Sequence, residues 1–480
     1  MNQIGRIKVL LLVSVLLWNQ AIAQLTTIRG SVLDSDAKRG ISNVAVTDGY
    51  SIVVTDKKGN YKLAANEKAE FVYITVPAGY KIPEDNNLPQ YYARISKSKE
   101  KYNFHLQKEA VDDSKHILIV GADPQPSNAE AGKKWLDFAS KEFDIINKKY
   151  ANMPRVGILC GDIVGDDLSL FDNHKTAVAK MGFPVFQVVG NHDLDFDARS
   201  NEGSAKTFKD YFGPEYYSFN KGKIHYVVLN DVFYLGRKSS YVAYINDQQM
   251  AWLEKDLALI PAGTTVVVSM HISPEYDGVA PSSDANQKLP GDNVVRNAKH
   301  LYKLLKPYKA HIMSGHTHWN QKFEKDGIFH HVHGAICGAW WGGNTSFDGT
   351  PLGYGVYEVD GDNISWYFQS AGKDEKYQMD LTFSDSSNTV IANVWNWDHA
   401  WKVELIADGQ SMGQMERFIG ESPVMRAYYE SLPAEHTWMK PVPTAHLFRT
   451  KIADTVKNVE VKVTDRFGNL YFEKLSISRN

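Results

Sequence analysis

The chain has 480 residues, 43% hydrophobic and 23% charged, with 53 basic against 56 acidic side chains. This is globular composition for about two to four domains, and it excludes a disordered or fibrous chain. Charge is near balance, and no Lys/Arg cluster is long enough for a nucleic-acid or membrane patch.

Residues 1–23 read as a leader. Arg6 and Lys8 precede an apolar run, Val9 to Leu17, and Ala21-Ile22-Ala23 supplies the small residues of a cleavage site before Gln24. The run is too short to span a bilayer comfortably. No Cys follows it to carry a lipid anchor. A periplasmic or secreted protein is therefore expected, with no transmembrane anchor after cleavage. Cys160 and Cys337 are the only cysteines. Neither has a partner at metal-binding spacing; Cys160, inside an apolar strand, is expected as a buried thiol, and a disulfide between the two is the less favoured alternative.

From 24 to 110 the pattern is β. Runs at Thr27–Leu33, Ser51–Thr55 and Phe71–Val76 are separated by turn residues, and Asp56-Lys57-Lys58-Gly59-Asn60 is a hairpin signal. No convergent His/Asp/Glu set occurs here, so spacing, stability or docking is the expected role.

From His116 strands alternate with helices. Apolar strands recur at 116–121, 155–160, 184–189, 224–229, 264–270 and 310–313. Helical spacing places Trp135, Phe138, Phe143 and Ile146 on one face of a helix over 133–150. Two more helices are expected, at 247–260 with Asp247 as N-cap and at 292–305 from Asp292. This alternation predicts an α/β layer architecture with ligands at the strand ends.

After Cys337 the pattern is again β-rich. Seven of the eleven tryptophans fall there: Trp340, Trp341, Trp366, Trp395, Trp397, Trp401 and Trp438. Strands are expected at Tyr354–Val359, Ile364–Gln369, Val459–Val463 and Leu470–Leu475. An aromatic core is the simplest account, with a sugar-stacking face as the alternative.

Five of the strand ends carry chemistry: Gly121-Ala122-Asp123-Pro124-Gln125, Cys160-Gly161-Asp162, Gly190-Asn191-His192-Asp193, Met270-His271 and Ser314-Gly315-His316-Thr317-His318. Taken singly, each reads as a turn or a satisfied polar residue. Taken together, they offer the carboxylates, imidazoles and hard neutral amide oxygen that divalent cations require. They also sit on loops pinned by rigid backbone.

The order Asp-x-His/Gln, Gly-Asp, Gly-Asn-His-Asp, His and Gly-His-x-His resembles the calcineurin-like metallophosphoesterase superfamily over about 114–338. The whole layout resembles its exported bacterial three-domain members. The resemblance implies a four-layer α/β core of two sheets flanked by helices. A transthyretin-like β-sandwich would precede it over 24–110, and a C-terminal β-rich domain would follow over 339–480. It also implies two divalent cations, drawn from Mn, Fe, Mg or Zn. Asp162 would bridge them. Asp123 and His318 would hold the first, with Gln125 beside it, and Asn191, His271 and His316 would hold the second. His192 would face the substrate as general acid or as positive charge, with Asp193 orienting it from behind. A metal-held hydroxide would attack phosphorus.

The first motif departs from the usual Asp-x-His, because Gln125 stands where imidazole is common. An amide oxygen is a harder donor, which favours manganese, magnesium or iron over zinc. Gln125 reads either as a ligand or as a neighbour of one.

The stretch 195–223, read as a short helix and a loop over the site, and the stretch 273–291 are the candidate rims. His330, His331 and His333 read as core or as supports of the site. His174, His225 and His311 read as structural. His399 can reach the site only if the last domain folds back over it. The expected activity is metal-dependent hydrolysis of a phosphorylated small molecule or macromolecule, with phosphomonoesters favoured. A phosphodiesterase or nucleotide-sugar pyrophosphatase, or a non-catalytic surface binding protein, are the alternatives.

Overall fold

The computed structural model describes residues 26–278, 293–433 and 439–479. The expected leader, the helix start at Asp292, most of the 273–291 rim and Trp438 lie outside the described residues. Among the described residues no helix is long and apolar enough to cross a membrane.

Two sheets form the centre of the molecule. In the core, the strands are β1 (Lys115–Gly121), β2 (Arg155–Leu159), β3 (Val185–Gln187), β4 (Tyr217–Lys221), β5 (Ile224–Val228), β6 (Val232–Arg237) and β7 (Ser240–Ala243). They continue with β8 (Thr265–Ser269), β9 (Lys309–Ser314), β10 (Gln321–Lys325), β11 (Ile328–Val332), β12 (Gly353–Asp360) and β13 (Asn363–Ser370). The first sheet runs β3-β2-β1-β12-β13 and the second β4-β5-β8-β9-β11-β10. The strands β1, β2 and β3 are mutually parallel. So are β5, β8, β9 and β11.

Because side chains alternate across a strand, each sheet buries two faces. Leu118, Val120, Val156, Ile158 and Phe186 of the first sheet share a core with Phe219, Tyr226, Val228 and Val267 of the second. Phe186 stacks on Phe219 at 4.1 Å and 7°, and Phe219 on Tyr226 at 4.7 Å and 8°. The opposite faces carry helices. Trp135, Phe143 and Ile146 of α1 (Ala129–Lys149) pack with Ile117, Ile119 and Val185. Trp252 and Leu253 of α2 (Asp247–Leu257), with Leu301 and Leu305 of α3 (Ala298–Leu305), pack with Val266, Val268 and Ile312. The expected four layers are present.

Helix boundaries moved for local reasons. α1 starts four residues early because the Asn128 carboxamide accepts from the Ala131 N–H and caps it. α2 is capped by Asn246, not Asp247, whose acidic side chain occupies the first turn. α3 begins at Ala298 rather than Asp292. Its preceding Asn297 makes no cap, since its carboxamide pairs with the backbone of Ile245.

Two placements are corrected. The strands expected in the C-terminal domain at 354–359 and 364–369 are β12 and β13, and β12 pairs with β1 along Lys115–Val120. They complete the first core sheet, so that sheet crosses the boundary expected at 338. The stretch 195–223 does not form a loop over the site. It forms two short helices, Asn201–Ser204 and Lys206–Phe212, and then β4. Its charges pair with the N-terminal module: Arg94 bonds Asp210 at 2.5 Å, Lys209 bonds Glu70, and the Tyr216 hydroxyl donates to Gly49 O at 2.8 Å.

The N-terminal module contains two four-stranded sheets. It docks on β4, where the Asn220 N–H donates to Val76 O at 2.8 Å and the Thr75 and Ser218 hydroxyls meet at 2.8 Å. The dock covers an edge strand that would otherwise present unpaired backbone. The C-terminal domain pairs two further four-stranded sheets around Val390, Val403, Leu405 and Val461. Trp395, Trp397 and Trp401 are buried there, whereas Trp366 lies on β13 in the core. Cys160 and Cys337 are free and buried.

Candidate metal centre

Each candidate ligand follows the C-terminal end of a core strand, and parallel pairing brings those ends to one edge. Close approach dictates the glycines. A Cβ at Gly315 would lie 2.5 Å from Asp123 Oδ2, and one at Gly190 would overlap the Asp162 carboxylate. The backbone is forced elsewhere as well. Asp123, Gln125, Asp162, His316 and His318 have φ of 50°, 40°, 48°, 72° and 56°. Non-glycine residues in this region cost about 1–3 kcal/mol each and persist only where the surroundings hold them.

Two subclusters meet at Asp162. On one side the His271 Nε2 lies 3.3 Å from Asp162 Oδ1, 3.0 Å from Asn191 Oδ1 and 3.2 Å from His316 Nδ1. One ligand atom from each of Asp162, His271 and His316 lies within 4.8 Å of the others. On the other side Gln125 Nε2 is 3.4 Å from Asp162 Oδ2, and His318 Nε2 is 3.7 Å from Asp123 Oδ1. The His316 N–H joins the halves by donating to Asp123 Oδ2 at 3.0 Å.

The three imidazoles are oriented alike. His271 gives Nδ1 to Cys160 O at 2.8 Å, His318 gives Nδ1 to Gly338 O at 3.0 Å, and His316 gives Nε2 to Asn293 Oδ1 at 2.8 Å. A carbonyl oxygen only accepts, so each outer nitrogen carries the proton and the other faces the cluster. Burial pushes His318 down to about 4. Burial also pushes His316 down to about 3, helped by the His271 cation. Both therefore keep the lone pairs a cation needs. Burial would also lower His271, but Asp162 and Asp123 outweigh it and hold it up at about 10, so a cation would bind there by displacing the proton on its inner nitrogen. Gln125 is buried, and its Oε1 has no hydrogen-bond partner. An orphaned amide oxygen costs free energy unless something binds it. Two carboxylates, three inward-facing imidazoles and two amide oxygens fit divalent cations.

His192 differs from the ligands. Its N–H donates to Asp162 Oδ1 at 2.9 Å, but its ring is partly exposed and Nδ1 lies 2.6 Å from Asp166 Oδ1. The orienting carboxylate is thus Asp166 and not Asp193, which corrects the sequence expectation. Asp193 is fully buried and turned away, accepting the N–H groups of Ile163, Val164 and Gly190 at 3.1, 3.0 and 2.8 Å. It locks the Gly-Asp loop against the Gly-Asn-His-Asp loop. Burial lifts its carboxyl to about 7, with the Asp162 charge adding to the rise. Burial would depress the His192 imidazole, yet Asp162 and Asp166 hold it up to about 9.

Sequence reading also missed Asp231, which accepts the His271 and Ile272 N–H groups at 3.2 and 2.8 Å. The signal was present, since Asp231 follows the apolar run of β5 as the other motifs follow theirs. The hairpin β6–β7 forms an unforeseen rim: Tyr241 sets its ring edge-on to His316 at 6.2 Å, and Lys238 lies 3.6 Å from Asp166. The C-terminal domain does reach the His271 loop, with His399 Nε2 2.6 Å from Asp277 Oδ2. His331 and His333 both bond the Tyr357 hydroxyl, inside the core. His174 and His225 are buried structural groups.

Three family models match successive segments. They are the N terminal of calcineurin-like phosphoesterase over 26–109, calcineurin-like phosphoesterase over 119–320, and the C terminal of calcineurin-like phosphoesterase over 330–471. The chain belongs to the calcineurin-like phosphoesterases. The human serine/threonine-protein phosphatase CPPED1 is 25% identical over 183 residues, covering 32% of this chain and 54% of the relative. The chain spans about half the length of the curated relatives it matches. Purple acid phosphatase PPD1 from yellow lupin seeds is 12% identical with a TM-score of 0.39, covering 69% of this chain and 68% of that one. GAP50 of Plasmodium is 14% identical with a TM-score of 0.38, covering 55% and 87%.

Proposed function

We propose that this chain is an exported phosphomonoesterase that binds two divalent cations. Asp123, Gln125 and His318 would hold one, Asn191, His271 and His316 would hold the other, and Asp162 would serve both. The observation that carries the reading is the meeting of two ligand subclusters at Asp162, with a cationic imidazole on the open side. When bound, such a pair of dications binds the phosphate oxygens and acidifies a water.

The chain's own residues supply the rest. His192, held protonated by Asp162 and Asp166, faces the open side, where it can donate its proton to the leaving oxygen. Neutral, hard Gln125 and Asn191 add donors without adding charge. The preference for monoesters draws on the named activity of CPPED1 across the matched segment. Export draws on the leader-like residues 1–23.

A panel of p-nitrophenyl phosphate, bis-p-nitrophenyl phosphate and a nucleotide sugar, assayed with Mn, Mg and Zn, tests this. Monoester turnover that collapses in His192→Ala, with metal content unchanged, is expected. Hydrolysis confined to the diester or the nucleotide sugar would overturn the substrate class. Full activity in His192→Ala would overturn the role of that residue.

A further inference from the structure

We infer that the strap Ile336–Trp341 positions one half of the site, that of Asp123, Gln125 and His318, with Trp341 as its anchor. The inference rests on the two-cation reading above. The strap follows β11 and lies across the first motif. The Ile336 N–H donates to Ala122 O at 2.8 Å, the Cys337 N–H to Asp123 O at 3.3 Å, and the Trp341 indole N–H to Pro124 O at 2.8 Å. Three successive carbonyls of the motif are thereby held. The Gly338 carbonyl accepts from His318 Nδ1 at 3.0 Å, which fixes the tautomer of that ring. Trp340 covers the same ring, stacked at 4.5 Å and 28°.

The arrangement is built rather than incidental. Trp340 and Trp341 are consecutive, bulky and left-handed, with φ of 50° and 59°. Such a pair persists only where the surroundings hold it. Trp341 is wedged against Trp135 and Phe138 of α1, at 6.5 and 6.0 Å between ring centroids. Its carbonyl accepts from Lys134 Nζ at 3.1 Å.

The need is equally local. Pro124 has no N–H, and the residues on either side of it, Asp123 and Gln125, are both left-handed. The Asp123 and Gln125 N–H groups tie the loop to Gly161 O and Asp162 O, and at Pro124, where no N–H can do so, the carbonyl is the handle that the indole holds. The rings of the other half take their orientation elsewhere, His271 from Cys160 and Asp231 and His316 from Asn293, and only the His316 backbone N–H meets the Asp123 carboxylate. Trp341 is thus a positioning residue for one cation and not for both.

Trp341→Phe keeps an aromatic wedge and removes the donor. Manganese binding is read by calorimetry and by electron paramagnetic resonance, beside thermal stability. The wild type should bind two ions and give the spectrum of a coupled pair. In Trp341→Phe one ion should bind as before, while the other weakens about 10–100-fold and the coupled spectrum gives way to that of an isolated ion. Trp340→Ala, at a half-buried position, should weaken the same ion, and it decides the matter if Trp341→Phe does not fold. A wild type that binds fewer than two ions overturns the two-cation reading itself. Two ions in the wild type with unchanged or equally weakened binding in the variants overturns the inference alone.

Discussion

Asp166→Asn tests which carboxylate serves His192. The perturbation is small in shape, because Asn keeps an acceptor oxygen where Asp166 Oδ1 stands 2.6 Å from His192 Nδ1. It removes the charge. His192 is held up to about 9 by Asp162 and Asp166 against the depressing effect of burial. A group raised in this way keeps its proton until the pH climbs through that value. Losing one partner lowers the point at which the acid form disappears, by roughly one pH unit for a partly exposed pair. The basic limb of the pH–rate profile should therefore move to lower pH. Turnover at the optimum should fall about 10–100-fold, with metal content unchanged. A cation on Asp162 opposes part of the elevation, so the readout is the shift between variant and wild type on p-nitrophenyl phosphate. Asp193→Asn should behave differently. It disturbs three buried N–H bonds, costs about 1–3 kcal/mol, and should show as lost thermal stability and metal retention. A wild-type profile in Asp166→Asn, with a shifted limb and intact metal in Asp193→Asn, would refute the assignment.

Gln125→His should raise the affinity for zinc relative to manganese, since imidazole replaces a hard oxygen; an unchanged metal profile by mass spectrometry counts against Gln125 as a ligand. Acid should destabilise the fold. Burial holds His116 near about 4 and His174 near about 3, and it lowers His311, His330, His331 and His333 as well. Each contributes stability that is full above about pH 6.5 and is lost as pH falls toward those lower values, at roughly 1.4 kcal/mol per unit. The raised carboxyls, Asp193 and Asp231 among them, work in the opposite direction and offset part of the loss. The melting temperature should drop steeply between pH 6.5 and 4, and a flat profile there would contradict the burial argument. Phe219→Ala should cost about 3–5 kcal/mol, because its ring lies between Phe186 and Tyr226; a loss under about 1 kcal/mol in urea unfolding would show that the sheets repack.

The five motifs were legible because each closes an apolar run, and because a run of that length between turn residues has few other uses in a globular chain. The alternation of strands and helices was legible for the same reason, whereas the two-sheet, helix-flanked core was implied only by the family resemblance. The strap was not. Trp340 and Trp341 carry the composition of a β-domain core, and nothing local distinguishes an indole that packs from one that donates to Pro124. β12 was misplaced because a strand's sequence records its two faces but not its neighbour; its pairing with β1 spans more than two hundred residues.

The sequence by itself determined which groups could bind cations and that each would stand at a strand's end, since residue type and apolar periodicity are local properties. Tertiary structure decided which carboxylate serves which imidazole. Asp193 is next to His192 along the chain, yet the turn aims it at the N–H groups of Ile163, Val164 and Gly190, while Asp166, from another loop, meets the ring. Side-chain direction at a loop is set by backbone dihedrals and by what packs beneath, and neither is written in nearest-neighbour order.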